Sequence, residues 1–285
     1  MKFRKILAAG LAACSLLTLA ACKSKDEETD WGQYKQEEKT LNSVATEDGG
    51  TLLFESIDSE SVMITGYQGP NTPHSVTVPA TVRTSTDTAI EPKKVTAIGT
   101  RAFHSVSALK EVVLPEGLTT IGDYAFTECR QLEKVTIPAT LETIGIAAFE
   151  GCVKLTDIGA LAASKVTALP QQCFAGCTSL ATVTIPGTIR TVGRGAFFNC
   201  TGLTAVTLEE GVEELAEQSF MGTEKLATLT LPATLTNTDP VADLCFYGAA
   251  ALTTVNVPDN APEALNTYKA KLLEFLQDQE TAEEA

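Results

Sequence analysis

Leu132-Glu-Lys-Val135-Thr-Ile137-Pro138-Ala-Thr-Leu141-Glu-Thr-Ile144-Gly145-Ile-Ala-Ala148-Phe149-Glu-Gly-Cys152 is one period of a repeat. Val135 and Ile137 alternate about Thr136, which predicts a short strand with one face inward. Pro138 ends it, because proline has no N–H to give to a ladder. Leu141 and Ile144 add core positions, and Gly145 permits a turn. Ala148-Phe149 then opens a tight turn that closes at Cys152. The phenylalanine recurs as Phe103, Phe126, Phe149, Phe174, Phe197, Phe220 and Phe246, with gaps of 23, 23, 25, 23, 23 and 26 residues. A period in the twenties predicts a solenoid, one coil per repeat, each coil burying its apolar side against its neighbours. The expected fold is therefore a repeat solenoid, mostly β, of stacked coils with short parallel strands.

The ends of such a stack expose a cross-section of core and need caps. Residues 51–67 predict a β-hairpin, with two apolar runs about the polar turn Asp58-Ser-Glu-Ser61. That hairpin is the expected N-terminal cap, and the solenoid follows over residues 68–260. Residues 261–285 predict a C-terminal α-helix and an acidic tail. Asn260 stands as the N-cap candidate, and Leu265, Tyr268, Leu272 and Phe275 or Leu276 form one stripe. Three coils are longer than the rest. The extra residues lie between Val78 and Val95 with Thr84–Pro92 as their core, near Gly159–Ser164 and near Thr236–Pro240. Insertions in solenoids map to loops, and both a binding role and neutral drift remain open for them.

The N-terminus predicts export. Met1-Lys-Phe-Arg-Lys5 is a positive segment, and Ile6 to Leu19 is an apolar run shorter than the ~20 residues that span a bilayer. Residues 1–21 are therefore read as a signal peptide. Leu19-Ala-Ala-Cys22 resembles a bacterial lipobox, which would make Cys22 the lipidated first residue of the mature chain; ordinary cleavage with Cys22 incidental is the alternative. The expected location is the bacterial cell envelope, lipid-anchored, extracytoplasmic and surface-exposed. Residues 22–50 are polar and acidic, and predict a disordered tether. The whole chain has net charge −15; removing residues 1–21 leaves 18 of its 21 Lys and Arg against 36 Asp and Glu, or −18. That balance disfavours nucleic acid and anionic lipid as partners.

Read across the coils, L-x-x-V-x-I-P-x-x-L-x-x-I-G-x-x-A-F-x-x-C is similar to the bacterial surface-antigen (BspA-like) class of leucine-rich repeat. The likeness spans about residues 62–258, and Ile64-Thr-Gly-Tyr67 with Val76-Thr-Val-Pro79 resembles that family's first repeat. The resemblance implies a right-handed leucine-rich-repeat solenoid on a bacterial surface, with adhesion or host contact as a frequent role. It supplies no shared catalytic residues.

Six cysteines of an exported chain invite a disulfide framework, but the repeat frame places them elsewhere. Cys129, Cys152, Cys177 and Cys200 each follow a repeat phenylalanine by three, and Cys173 and Cys245 each precede one. These are slots for small core side chains, and free thiols are expected there. No zinc pattern accompanies them. The two histidines sit in no catalytic motif; His74 falls in an expected turn, and His104 is expected to face solvent. No GxSxG, HExxH or phosphate-loop pattern occurs, so no enzyme, cofactor or metal is expected. The acidic run Glu209-Glu210, Glu213-Glu214 and Glu217 predicts a solvated edge.

Two exposed columns are the candidate binding surfaces. The outward strand residues are Thr77, Val113, Thr136, Gly159, Thr184, Thr207, Thr230 and Asn256, a hydroxyl-and-methyl stripe that threonine's strand preference would also explain. The residues after each phenylalanine are His104, Thr127, Glu150, Ala175, Phe198, Met221 and Tyr247. Phe198, Met221 and Tyr247 fall in consecutive coils and predict an apolar patch, either a contact surface or a seat for the C-terminal helix. The expected function is non-catalytic binding or adhesion to an extracellular protein or glycan by a monomer. The scarcity of exposed aromatic stripes favours a protein, and a structural spacer is the alternative.

Overall fold

A computed structural model describes residues 42–236 and 244–283, all within one compact unit over 38–285. The expected signal peptide, Cys22, residues 22–41 of the expected tether and residues 237–240 of the third insertion lie outside the described residues. The fold is the expected mostly β, parallel solenoid, closed by one C-terminal helix.

Each coil has three sides. The first carries strands His74–Thr77, Leu109–Val113 and Lys134–Thr136, then Thr182–Ile185, Ala205–Leu208, Thr228–Thr230 and Thr254–Asn256. The second carries Lys93–Ile98, Thr120–Ile121 and Thr143–Ile144, then Ala168–Leu169, Thr191–Val192 and Glu214–Leu215. On each side, neighbouring strands within a sheet pair in parallel, one coil apart. The third side is the phenylalanine turn.

The turn is itself a hydrogen-bonded ladder. In the first turn Arg101 N, Phe103 N and Ser105 N donate to Asp123 O, Ala125 O and Thr127 O of the next coil at 3.0, 2.8 and 2.8 Å. The alternate amides of Ala102 and His104 donate to carbonyls three residues back in their own coil. The pattern repeats in later coils, as in Ala147, Phe149 and Gly151 donating to Gln171, Cys173 and Ala175. It needs left-handed backbone two residues before and two after each phenylalanine. All nine non-glycine residues with positive φ among the described residues occupy those two positions. Gly145 serves differently from the expectation of a turn. A Cβ there would strike the backbone nitrogen of Asp123, and the same holds at Gly122 against Thr100 and at Gly193 against Leu169. This glycine column lets adjacent coils approach backbone to backbone.

Both sheets stop between the third and fourth coils. The residues that should carry the fourth outward strand instead run into a 3-10 turn at Gly159–Ala163, where the two extra residues fall and the strand-ending proline is missing. Gly159 is therefore not a rung of the threonine column. The turn ladder and the aromatic core continue through this break, with Phe149 and Phe174 stacked at 5.4 Å. The insertion over residues 83–92 is a loop whose entry, Thr81–Val82, pairs antiparallel with Lys93–Lys94.

The N-terminal hairpin is Thr51–Ser56 against Ser61–Gln68, and its second strand pairs in parallel with Lys93–Ile98 of the first coil. The expected tether is shorter than predicted. Ser43–Ala45 forms a strand antiparallel to Thr51–Leu53, because Leu52 offers buried apolar surface and the hairpin edge offers unpaired amides. At the other end the helix spans Glu263–Glu283. Asn260 lies in a turn closed by Ala261 N on Pro258 O, so it is not the N-cap. The residues expected as a tail continue the helix up to Glu283, in keeping with the helix propensity of glutamine, glutamate and alanine. Leu265, Tyr268, Leu272 and Leu276 are buried and continuous with the solenoid core.

Candidate functional site

The seven phenylalanines are core. Each is at most 1 % exposed, and adjacent rings stack with centroids 5.0 to 5.5 Å apart. Tyr67 of the hairpin adds an eighth ring, 5.4 Å from Phe103. Beside this stack, Cys129, Cys152, Cys177 and Cys200 donate Sγ–H to the carbonyls of Phe103, Phe126, Phe149 and Phe174 in the coil before, at 3.0 to 3.3 Å. All six described cysteines are buried, and Cys129, Cys152, Cys173, Cys177 and Cys200 are free thiols. Burial pushes the Cys129 and Cys200 thiols up to about 12, so they stay protonated and inert as nucleophiles.

The threonine column forms two short stripes. Thr77 aligns with Val113 and Thr136, and Thr184 aligns with Thr207, Thr230 and Asn256. The amide of Asn256 donates to Thr230 Oγ1 at 3.3 Å. Among the described residues no strand pairing joins the stripes across the fourth coil, so a ligand needing one continuous hydroxyl face would not find it.

The column after the phenylalanines is more buried than its sequence suggests. Thr127 is buried and its hydroxyl donates to Ala147 O at 2.6 Å. Glu150 is half-buried, and burial and then the charge of Glu128 raise its carboxyl above the usual range. Phe198 and Met221 are half-buried, while Tyr247 is exposed. The expected three-residue patch divides. The Tyr247 ring lies 6.4 Å from Phe275 of the C-terminal helix, which ties it to the cap. Phe198 instead borders a surface cavity of about 230 Å³ lined by Gln171, Gln172, Arg194, Gly195 and Gln218, none of them helical.

That cavity lies on a column absent from the sequence reading, the residue two before each phenylalanine: Arg101, Tyr124, Ala147, Gln172, Gly195, Gln218 and Leu244. At its start the Arg101 guanidinium sits 5.3 Å over the Tyr124 ring. The signal was available, since these residues keep the same spacing as the phenylalanines and a single member lacks a side chain.

A second polar feature anchors the N-terminal cap. The Tyr67 hydroxyl donates to Asp48 Oδ2, and His74 Nε2 lies 3.8 Å from the same oxygen, with both side chains over nine-tenths buried. His74 Nδ1 sits 2.7 Å from the Thr72 carbonyl. His74 therefore opens a strand with its ring turned inward and is not a turn residue; His104 is exposed as expected. Burial works against the charge of Asp48, but the Thr46 and Tyr67 hydroxyls and His74 outweigh it, and its carboxyl is held below the usual range. Exposed ion pairs one coil apart, such as Lys134–Glu111 at 3.2 Å and Arg190–Glu213 at 2.9 Å, add at most about 1 kcal/mol each. Among the described residues no group of three or more His, Cys, Asp and Glu is placed to hold a metal. No helix there is long and apolar enough to cross a membrane.

A family model described as BspA type leucine rich repeat region matches residues 82–167 and 160–269. The crystal structure of a Treponema pallidum leucine-rich repeat protein, TpLRR, is similar at 26 % identity and TM-score 0.60, over 76 % of this chain and 92 % of that one. A leucine-rich cell surface protein from Faecalibacterium prausnitzii matches at 18 % identity and TM-score 0.47, over 81 % and 98 % of the two chains. The pneumococcal vaccine antigen PcpA matches at 18 % and 0.47, over 78 % and 71 %. No curated protein sequence is similar enough to count as a relative.

Proposed function

The chain belongs to the family of BspA-type leucine-rich repeat proteins, and from that premise we propose that it is a surface-exposed lipoprotein, anchored through Cys22, that binds an extracellular protein or glycan without covalent chemistry. The observation that carries this reading is the turn face. Its backbone is held in one conformation from coil to coil, so side chains there are displayed at fixed spacing, and one place on it combines an apolar ring, Phe198, with an open polar cavity. A rigid, preorganised surface loses little entropy on binding. Thr184, Thr207, Thr230 and Asn256 form a second, flatter face on the same coils.

Two experiments test the reading. Incorporation of labelled palmitate by cells expressing the chain is expected to vanish with Cys22→Ala; undiminished labelling would exclude the anchor. Purified full chain on a sensor surface is expected to show saturable binding to members of a panel of extracellular matrix proteins and glycans, weakened by Phe198→Ser at an unchanged unfolding midpoint. A folded monomer that binds nothing on the panel would favour the spacer.

A further inference from the structure

The column that contains Gly195 has positive φ in all seven coils, from 50° at Leu244 to 60° at Arg101 and Gln218. Six of the seven positions carry a side chain in that conformation. The backbone therefore does not demand glycine at 195, although glycine adopts it without strain. Nor does crowding. A Cβ on Gly195 would meet Gln172 Cγ at 3.5 Å and Phe198 Cβ at 3.6 Å, ordinary contact distances. What the glycine does is interrupt a row of side chains. It leaves a notch between Gln172 and Gln218, two coil steps or about 10 Å apart at the spacing of paired strands.

We propose that this notch binds one neutral hexose ring at the end of a glycan. The inference rests on the reading of the turn face as a binding surface and names its ligand class. Three observations favour a sugar ring. The cavity, about 230 Å³, lies below the roughly 300–1,000 Å³ of sites for drug-sized ligands, and glutamines in the coils before and after bound it, which suits a terminal group better than a running chain. Its polar lining residues include Gln171, Gln172 and Gln218, whose carboxamides are each both donor and acceptor, as sugar hydroxyls are. Gln171 Nε2 donates to Gln172 Oε1 at 3.3 Å, which orients the second amide. Phe198 supplies an apolar wall for the C–H face of the ring. Charge argues for a neutral sugar. The only cation in the lining, Arg194, has Glu217 Oε2 at 3.6 Å from its Nε, and the chain carries net charge −15, which repels anionic ligands at long range.

The test is an array of oligosaccharides ending in glucose, galactose, mannose or a carboxylated sugar, probed with the full chain, then titration with the methyl glycoside of the best hexose. Retention of hexose-terminated glycans is expected. Gly195→Gln, which completes the side-chain row and lowers the urea midpoint because its φ of +59° strains any side chain, is expected to lower affinity at least tenfold at equal folded fraction. Gln172→Ala and Gln218→Ala, which leave the backbone alone, are each expected to lower it about three- to tenfold, and they decide the matter if Gly195→Gln folds poorly. Tyr124→Gln, in the same column three coils away, is expected to bind as wild type. Hexose binding indifferent to these notch substitutions, or preference for carboxylated sugars, would overturn the assignment. A blank array beside Phe198-dependent binding to a matrix protein would overturn the glycan and leave the binding function standing. A blank array and a blank protein panel would overturn both.

Discussion

Replacing Phe149 by leucine separates the ring stack from the mere filling of the core. Phe149 is 1 % exposed and lies between Phe126 at 5.2 Å and Phe174 at 5.4 Å, with interplanar angles of 2° and 6°. Leucine keeps most of the apolar volume but ends both aromatic pairs. Each pair is worth about 0.5–1.5 kcal/mol beyond its buried area, so Phe149→Leu is expected to cost about 1–3 kcal/mol. Phe149→Ala adds the cavity and should fall at or above the upper end of the usual range of about 3–5 kcal/mol. Phe246 has one phenylalanine neighbour, Phe220 at 5.5 Å, so Phe246→Leu is expected to cost about half as much as Phe149→Leu, about 0.5–1.5 kcal/mol. Urea unfolding followed by circular dichroism measures all three. With a slope near 3 kcal/mol/M, Phe149→Leu lowers the midpoint by roughly 0.3–1 M. Equal costs at positions 149 and 246, or a Phe149→Leu cost under about 0.5 kcal/mol, would refute a role for stacking and leave the phenylalanines as volume alone.

Three further outcomes are expected. Peptides carrying Cys129, Cys152, Cys177 and Cys200 should stay unlabelled by iodoacetamide in the native chain at pH 8 and label in step with urea unfolding, because burial keeps the thiols protonated; rapid native labelling would show the core to be open. Asp48 has a lowered carboxyl, so its contribution to stability is full above the unfolded value of about 3.9 and is lost as pH falls through the lower folded value. The melting-temperature gap between wild type and Asp48→Asn should accordingly narrow as pH falls from about 5 through the carboxylate range, and a gap that widens over that interval would contradict this. Tyr268 is fully buried, and Tyr268→Ala should cost about 3–5 kcal/mol and speed hydrogen exchange in residues 244–256 while sparing 93–136; uniform acceleration would argue against a local cap.

The stack was legible because its spacing is written in one residue type. Seven phenylalanines at near-constant intervals specify coils, and the cysteines three residues later fall into core slots once that frame is laid down. Tyr67 was harder to see. It extends the ring stack from a hairpin that has no repeat around it, and only the parallel pairing of Ser61–Gln68 with the first coil brings it beneath Phe103. Asp48 was hidden for a similar reason. An acidic segment resembles a solvated tether until its partner, 19 residues on, supplies a hydroxyl. The patch of Phe198, Met221 and Tyr247 follows from register alone, but its division depends on where the helix docks, and an amphipathic stripe does not encode that direction. Gly195 escaped because a glycine near a turn is ordinarily read as a backbone requirement. Its meaning emerges only when six side chains share its left-handed φ.

The binding surface proposed for the phenylalanine turns has Phe198 at its focus. Surface plasmon resonance of the full chain against the panel of matrix proteins and hexose-terminated glycans, with wild type and Phe198→Ser compared at equal folded fraction, tests it most directly. Saturable binding to at least one member is expected, weakened at least tenfold by the substitution. Binding of equal strength by both forms, or none by either, would contradict it.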